Sequence, residues 1–150
     1  MQTLCNPSRS EPVMFEFHGW ASVRYHTHDT DWDLQTACWK RILKLIDGLE
    51  AKTSISARRG NGVDVVQISG QHNHYAAYVL GLFQGLAELA PGSYGLLYVH
   101  DDEDSREGQR WRNHFRVWRL CRGQLTEHDD YFLSPVVPTV EDPDDESRRD

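Results

Sequence analysis

Cysteine is scarce and scattered: Cys5, Cys38 and Cys121 form an odd, widely spaced set without a Cys-x-x-Cys pair. Neither a disulfide framework nor a zinc knuckle is indicated, which leaves Cys38 and Cys121 to pack as small reduced hydrophobes. No apolar run approaches the roughly 20 residues that a membrane-crossing helix needs. The first thirteen residues lack the basic start and continuous apolar stretch of a secretory signal, so a cytoplasmic location is expected. Also missing are Gly-x-Ser-x-Gly and a Gly-rich phosphate loop at a strand-to-helix junction. With no cysteine set beside a plausible histidine either, the familiar routes to nucleophilic catalysis and nucleotide binding have no motif to stand on. Positive charge is the remaining deficit. Sixteen Lys and Arg against 23 Asp and Glu give a formal charge of -7, which disfavours nucleic acid and anionic membranes and suits a basic protein partner.

What is present suffices for one core. The 150 residues are 39% hydrophobic and 11% aromatic, enough to bury roughly two thirds of the surface that the unfolded chain exposes. Residues 1–13 have turn composition without periodicity and are read as a disordered leader, with Met14 a candidate start. Residues 14–142 are read as a single domain and residues 143–150 as a disordered acidic tail.

Along the domain, Phe15 to Tyr25 alternates. Phe15, Phe17, Gly19, Ala21, Val23 and Tyr25 share one face, and Glu16, His18, Trp20, Ser22 and Arg24 the other, which is a half-buried strand. Thr30-Asp31-Trp32-Asp33 resembles a capping box. Leu34, Cys38, Ile42, Leu45, Ile46 and Leu49 then recur at helical spacing, predicting an amphipathic helix over about 31–50. Two β-prone runs, Thr53 to Arg58 and Val63 to Ser69, flank the Asn61-Gly62 turn signal of a hairpin. A second helix is predicted over about 74–90, with Tyr75, Tyr78, Val79, Leu82, Leu86 and Leu89 inward; Gly81 and Gly85 either weaken it or permit close packing. Ser93 to His100 reads as a central strand covered on both faces. An acidic loop, Asp101 to Gly108, leads to a strand over Phe115 to Cys121, a turn at Arg122-Gly123, a return strand, and an extended, proline-punctuated segment over Leu133 to Val140. The order β-α-β-β-α-β-β predicts an α+β domain, a mainly antiparallel sheet with two helices on one face, compatible with a ferredoxin-like arrangement with an extended edge.

Two kinds of site follow. Asp101, Asp102, Glu103 and Asp104 form a carboxylate cluster that either stays solvated or steers a basic partner. Trp20, on the face of the first strand where polar residues are expected, and Trp118 on a later strand are candidate contact hot spots, unless other segments cover them. The competing chemistry is a small metal-assisted hydrolase built from His72, His74, His100 and Asp101. His26-x-His28 and His72-x-His74 are close pairs, but neither follows a specific ligand motif, and solvated loop histidines explain them as well. A scaffold or regulatory module is a third reading.

A series of motifs goes further. Phe15-Glu16-Phe17-His18-Gly19-Trp20-Ala21, Ile68-Ser69-Gly70 to Asn73-His74, Pro91-Gly92-Ser93-Tyr94-Gly95-Leu96-Leu97-Tyr98 running to Asp101-Asp102-Glu103-Asp104, Val117-Trp118, Arg122-Gly123, and Phe132-Leu133-Ser134-Pro135 through Glu141-Asp142 occur in that order. Together, over Met14 to Asp142, they resemble immunity protein family 7 of bacterial polymorphic toxin systems. The resemblance implies a cytoplasmic α+β protein, encoded beside a secreted or contact-delivered toxin, that protects its producer by binding the toxin domain. No catalytic residue and no cofactor come with it. Residues 1–13, the Arg-rich Gln109 to Arg112 and the tail after Asp142 depart from the family pattern.

Overall fold

The computed structural model describes residues 13–28 and 31–149. Its first strand, β1 (Phe15–Val23), follows the alternation in the sequence: Phe15, Phe17, Ala21 and Val23 are buried, and Glu16, His18, Trp20 and Ser22 lie on the opposite face. The first helix, α1 (Trp32–Asp47), starts where the Asp31 carboxylate accepts the backbone N–H of Asp33 and of Leu34, both at 3.0 Å. Two of the four orphan donors of the first turn are thereby satisfied; Thr30 lies outside the described residues.

The hairpin β2 (Ile55–Gly60) and β3 (Val63–His72) closes on Asn61 and Gly62, at φ 51° and 77°. Those left-handed angles match the twist of the flanking strands, and Asn and Gly adopt them most readily. The second helix, α2 (Ala77–Leu89), crosses α1 closely at Gly85, where a Cβ would lie 2.5 Å from Leu45 Cδ2. Close packing is thus what this glycine permits. Then come β4 (Tyr94–Asp101), β5 (Arg116–Cys121) and β6 (Gln124–Asp129).

The six strands are antiparallel throughout, in the order β2-β3-β1-β4-β5-β6. The first four take the ferredoxin-like order, and β5 and β6 extend the edge beside β4. Both helices cover one face, where Cys38 and Ile42 of α1 and Val79, Leu82, Phe83 and Leu86 of α2 join Phe15, Phe17, Ile68 and Leu97 in one core. Each large apolar side chain there contributes roughly 2 kcal/mol of transfer free energy.

Several sequence expectations need correction. Leu34 does not point inward; it is 55% exposed, and Gln35 takes the buried position one residue on. A glutamine fits there because its amide is fully used: the oxygen accepts from the Tyr25 backbone N–H, and the nitrogen donates to the Val23 carbonyl and to Asp64. Tyr75 precedes α2 and is exposed, and Leu89 lies on its outer side, while Phe83 and Ala87 face inward instead. β4 is covered on both faces only toward His100, since Tyr94 is exposed and Leu96 and Tyr98 are half-buried. The Leu133 to Val140 segment is extended at Val137 but folds back through backbone bonds from Thr139 to Pro135 and from Val140 to Val136, and Val136 is buried. Residues 143–149 contain neither helix nor strand.

Candidate functional site

Antiparallel pairing brings distant acidic segments to one end of the sheet. Phe15 lies opposite His72 on one side and Asp101 on the other, and Arg116 lies opposite Val99 and Asp129. The chain leaving β3, the β4–β5 loop and the chain leaving β6 therefore share a pole. Residues 100–116 and 127–141 hold nine carboxylates against four arginines, a formal -5 of the chain's -7.

The β4–β5 loop at this pole is clamped, not loose. Arg106 donates to both Asp104 oxygens, at 2.8 to 3.2 Å, and to both Glu127 oxygens on β6 at 2.8 Å. Arg116 continues the ladder to Glu127 at 2.7 Å and to Asp129, and its guanidinium lies 3.6 Å from the centre of the Trp111 ring. Hydrogen bonds donated to Asp104 and Glu127 raise the Arg106 pKa, and the bond to Asp104 holds that carboxyl below the usual carboxylate range. Burial alone would raise Glu127, but the bonds from Arg106 and Arg116 outweigh it and bring it down. Inside the loop, Glu107, Gly108 and Gln109 are all left-handed, with φ of 49°, 66° and 70°. Two of these are not glycine, a strain that the clamp holds in place.

The four candidate acids thus divide. Asp104 is spent on Arg106 and its side chain is 9% exposed. Asp101 accepts the Glu103 backbone N–H, and Glu103 meets His74 at 2.6 Å while remaining exposed. The Asp102 carboxylate lies 3.3 Å from His100 Nε2. Burial pushes its carboxyl above the ordinary value; His100 opposes this, and the Asp101 and Glu141 carboxylates add to it. Asp102 is an under-compensated negative charge.

The two tryptophans differ as well. Trp118 sits opposite Leu97, on the helix side, and packs partly buried against the core. With Trp111, Phe15, Tyr75 and Asp101 it lines a cavity of about 380 Å³. Trp20 is on the helix-free face, 42% exposed, edge-on to Tyr94 with ring centres 6.2 Å apart. The C-terminal segment covers the neighbouring part of that face instead: Leu133, Val136 and Val140 share a cavity of about 420 Å³ with His18, Tyr98 and His100.

Sequence reasoning missed Tyr131 and Phe132, which are 83% and 80% exposed at the same pole. An aspartate followed by two aromatics outside any periodic segment was the available signal. The hydrolase constellation, in turn, is not assembled. His72 bonds the Tyr78 hydroxyl, His74 bonds Glu103, and His100 is buried with Nε2 on the Arg112 carbonyl. Among the described residues no three His, Cys, Asp or Glu side chains converge on a point where a metal ion would be held. Nor, among them, is any helix long and apolar enough to cross a membrane.

No curated protein and no solved structure matches the chain. A family model does: immunity protein 7, over residues 14–142. That span takes in all six strands, both helices and the whole acidic pole, so the chain belongs to the immunity protein 7 family and has the role of an immunity protein.

Proposed function

We propose that this immunity protein neutralises a basic toxin domain in the cytoplasm of the producing cell by covering it with the acidic pole, without catalysis and without a cofactor. The segregation of charge carries this reading: carboxylates from two separate segments, the β4–β5 loop and the chain through and after the end of β6, are gathered on one rigid end. A fixed cluster of one sign speeds encounter with a surface of the other and selects against wrong partners. Asp102 adds a reason for affinity, because an approaching cation would relieve the charge that burial and neighbouring carboxylates disfavour. A toxin acting on nucleic acid carries a cationic surface for its substrate, so a nuclease domain suits this pole best.

Asp101, Asp102 and Glu103 are the direct contacts in this proposal, with Asp104 fixing their loop and Trp118 backing the cavity beside them. Trp20 stands five residues up β1 from the pole, roughly 17 Å at the rise of a strand. A standard interface of about 800 Å² per partner spans some 30 Å and reaches it at the rim.

The test is co-expression with the C-terminal toxin domain encoded by the adjacent gene. Growth rescue by the wild type, together with a stable purified complex, is the expected result. Replacing Asp101, Asp102 and Glu103 together by lysine should abolish both. Rescue by the triple-lysine variant at wild-type affinity would remove the acidic pole from the interface, and a wild type that neither rescues nor binds would end the proposal.

A further inference from the structure

Tyr131 and Phe132 follow the end of β6 by one residue with most of their surface in water, and Leu133, next in the chain, is 43% exposed. Large side chains this exposed ordinarily belong to loose loops, but this turn is fixed. The Asp130 carboxylate, 6% exposed, accepts the backbone N–H of Phe132 at 2.9 Å, the N–H of Leu133 at 3.0 Å and the Ser134 hydroxyl at 2.8 Å. Ser134 in turn accepts the Phe115 backbone N–H at 2.9 Å, tying the turn to the start of β5. On the other side, Asp129 is held by Arg116. Two aromatic rings are thus held out from an ordered backbone, which lowers the entropy lost when they are immobilised by a partner.

The surroundings decide what the partner is. The rings rise from the pole that carries a formal -5. A second copy of the chain would set two such poles against each other, and an anionic membrane would repel it in the same way. A cationic protein surface with an apolar cleft meets both the charge and the rings. We infer that the Tyr131-Phe132 tip is the anchor of the toxin interface, inserted into an apolar cleft of the basic toxin domain while the surrounding carboxylates pair with that cleft's basic rim. Buried aromatic anchors ringed by polar contacts are where binding energy concentrates.

The inference rests on the toxin-binding reading, and the experiment separates the two. Binding of the adjacent-gene toxin domain is followed kinetically for the wild type, for a Tyr131→Ala/Phe132→Ala double variant, and for Asp130→Ala, which keeps both rings but frees the turn. The double variant should bind about 100-fold more weakly or worse, through faster dissociation, with an unchanged melting temperature because the rings are exposed. Asp130→Ala should lose roughly tenfold, the cost of ordering a turn that was preorganised. Trp20→Ala, at the rim, should change affinity by no more than about threefold. Wild-type binding with a double variant that loses less than tenfold would overturn the anchor while leaving toxin binding intact. A wild-type dimer that the double variant converts to monomer would assign the tip to a second copy and overturn it too. Absence of wild-type binding would remove the premise, and the anchor with it.

Discussion

Asp64 on β3 shows at a single residue how this fold tolerates a buried charge. Its side chain is 1% exposed, yet Arg59 reaches it with Nε at 2.6 Å and Nη2 at 2.8 Å, and Gln35 donates a third bond at 2.8 Å. Burial works to raise the carboxyl, and the bonds from Arg59 and Gln35 more than offset it, so the folded pKa lies below the ordinary value. For an acid depressed by folding, the stabilisation is complete above the unfolded value, near 4, and is lost as pH falls through the lower folded value. Asp64→Asn should therefore cost about 2 kcal/mol at pH 7 and less at about pH 2.5, below the unfolded value, where the wild type has begun to lose the same contribution. Urea midpoints at the two pH values measure this. A deficit of equal size at both would mean that packing, not the carboxylate charge, is what the substitution removes.

The β4–β5 loop supplies the corresponding argument at the scale of an element. From the β4–β5 loop Arg106 reaches β6 through Glu127, and Arg116 on β5 joins it there and adds Asp129. Replacing Arg106 by Gln should accelerate amide exchange at residues 102–110 by tenfold or more and leave β1, β3 and β4 unchanged, since local opening reports local contacts. Uniform acceleration across the sheet would instead make Arg106 a determinant of global stability. None of this was legible in the sequence, because Arg106 and Glu127 are 21 residues apart and no periodicity links them. What could be read was local. β1 announced its two faces by alternation, and the Asn61-Gly62 and Arg122-Gly123 turns announced their hairpins, with positive φ at all four residues. The inward stripe of α1 was read one position off at Leu34, because a rule that places apolar residues inside has no way to anticipate a glutamine whose amide is satisfied by three partners from β1, β3 and the chain after β1. Alternation placed Trp20 on the polar face of β1 but could not say whether Trp20 or Trp118 is covered, and only register shows that Trp118 shares the helix side with Leu97.

Across the whole molecule, charge and shape coincide. An antiparallel sheet returns every second loop to the same end, and here those loops hold most of the net charge, opposite an end where Asp31 caps α1 and Arg59 stacks 4.4 Å from the Trp32 ring. The chain after Glu141 adds four carboxylates within five residues, Asp142, Asp144, Asp145 and Glu146. A protein polarised in this way should capture a basic partner by long-range attraction first and fit second. The association rate constant should then fall by roughly tenfold or more between about 20 and 500 mM salt, as the screening length shrinks from about 20 Å to under 5 Å. Dissociation should change little over the same range, because the desolvated contacts at the centre of an interface are screened far less than the field outside it. Stopped-flow measurements of the complex at several salt concentrations decide the matter. A steep association slope with a flat dissociation limb places the carboxylates in steering, whereas a flat association limb would mean that the clustered charge serves the stability of the loop alone.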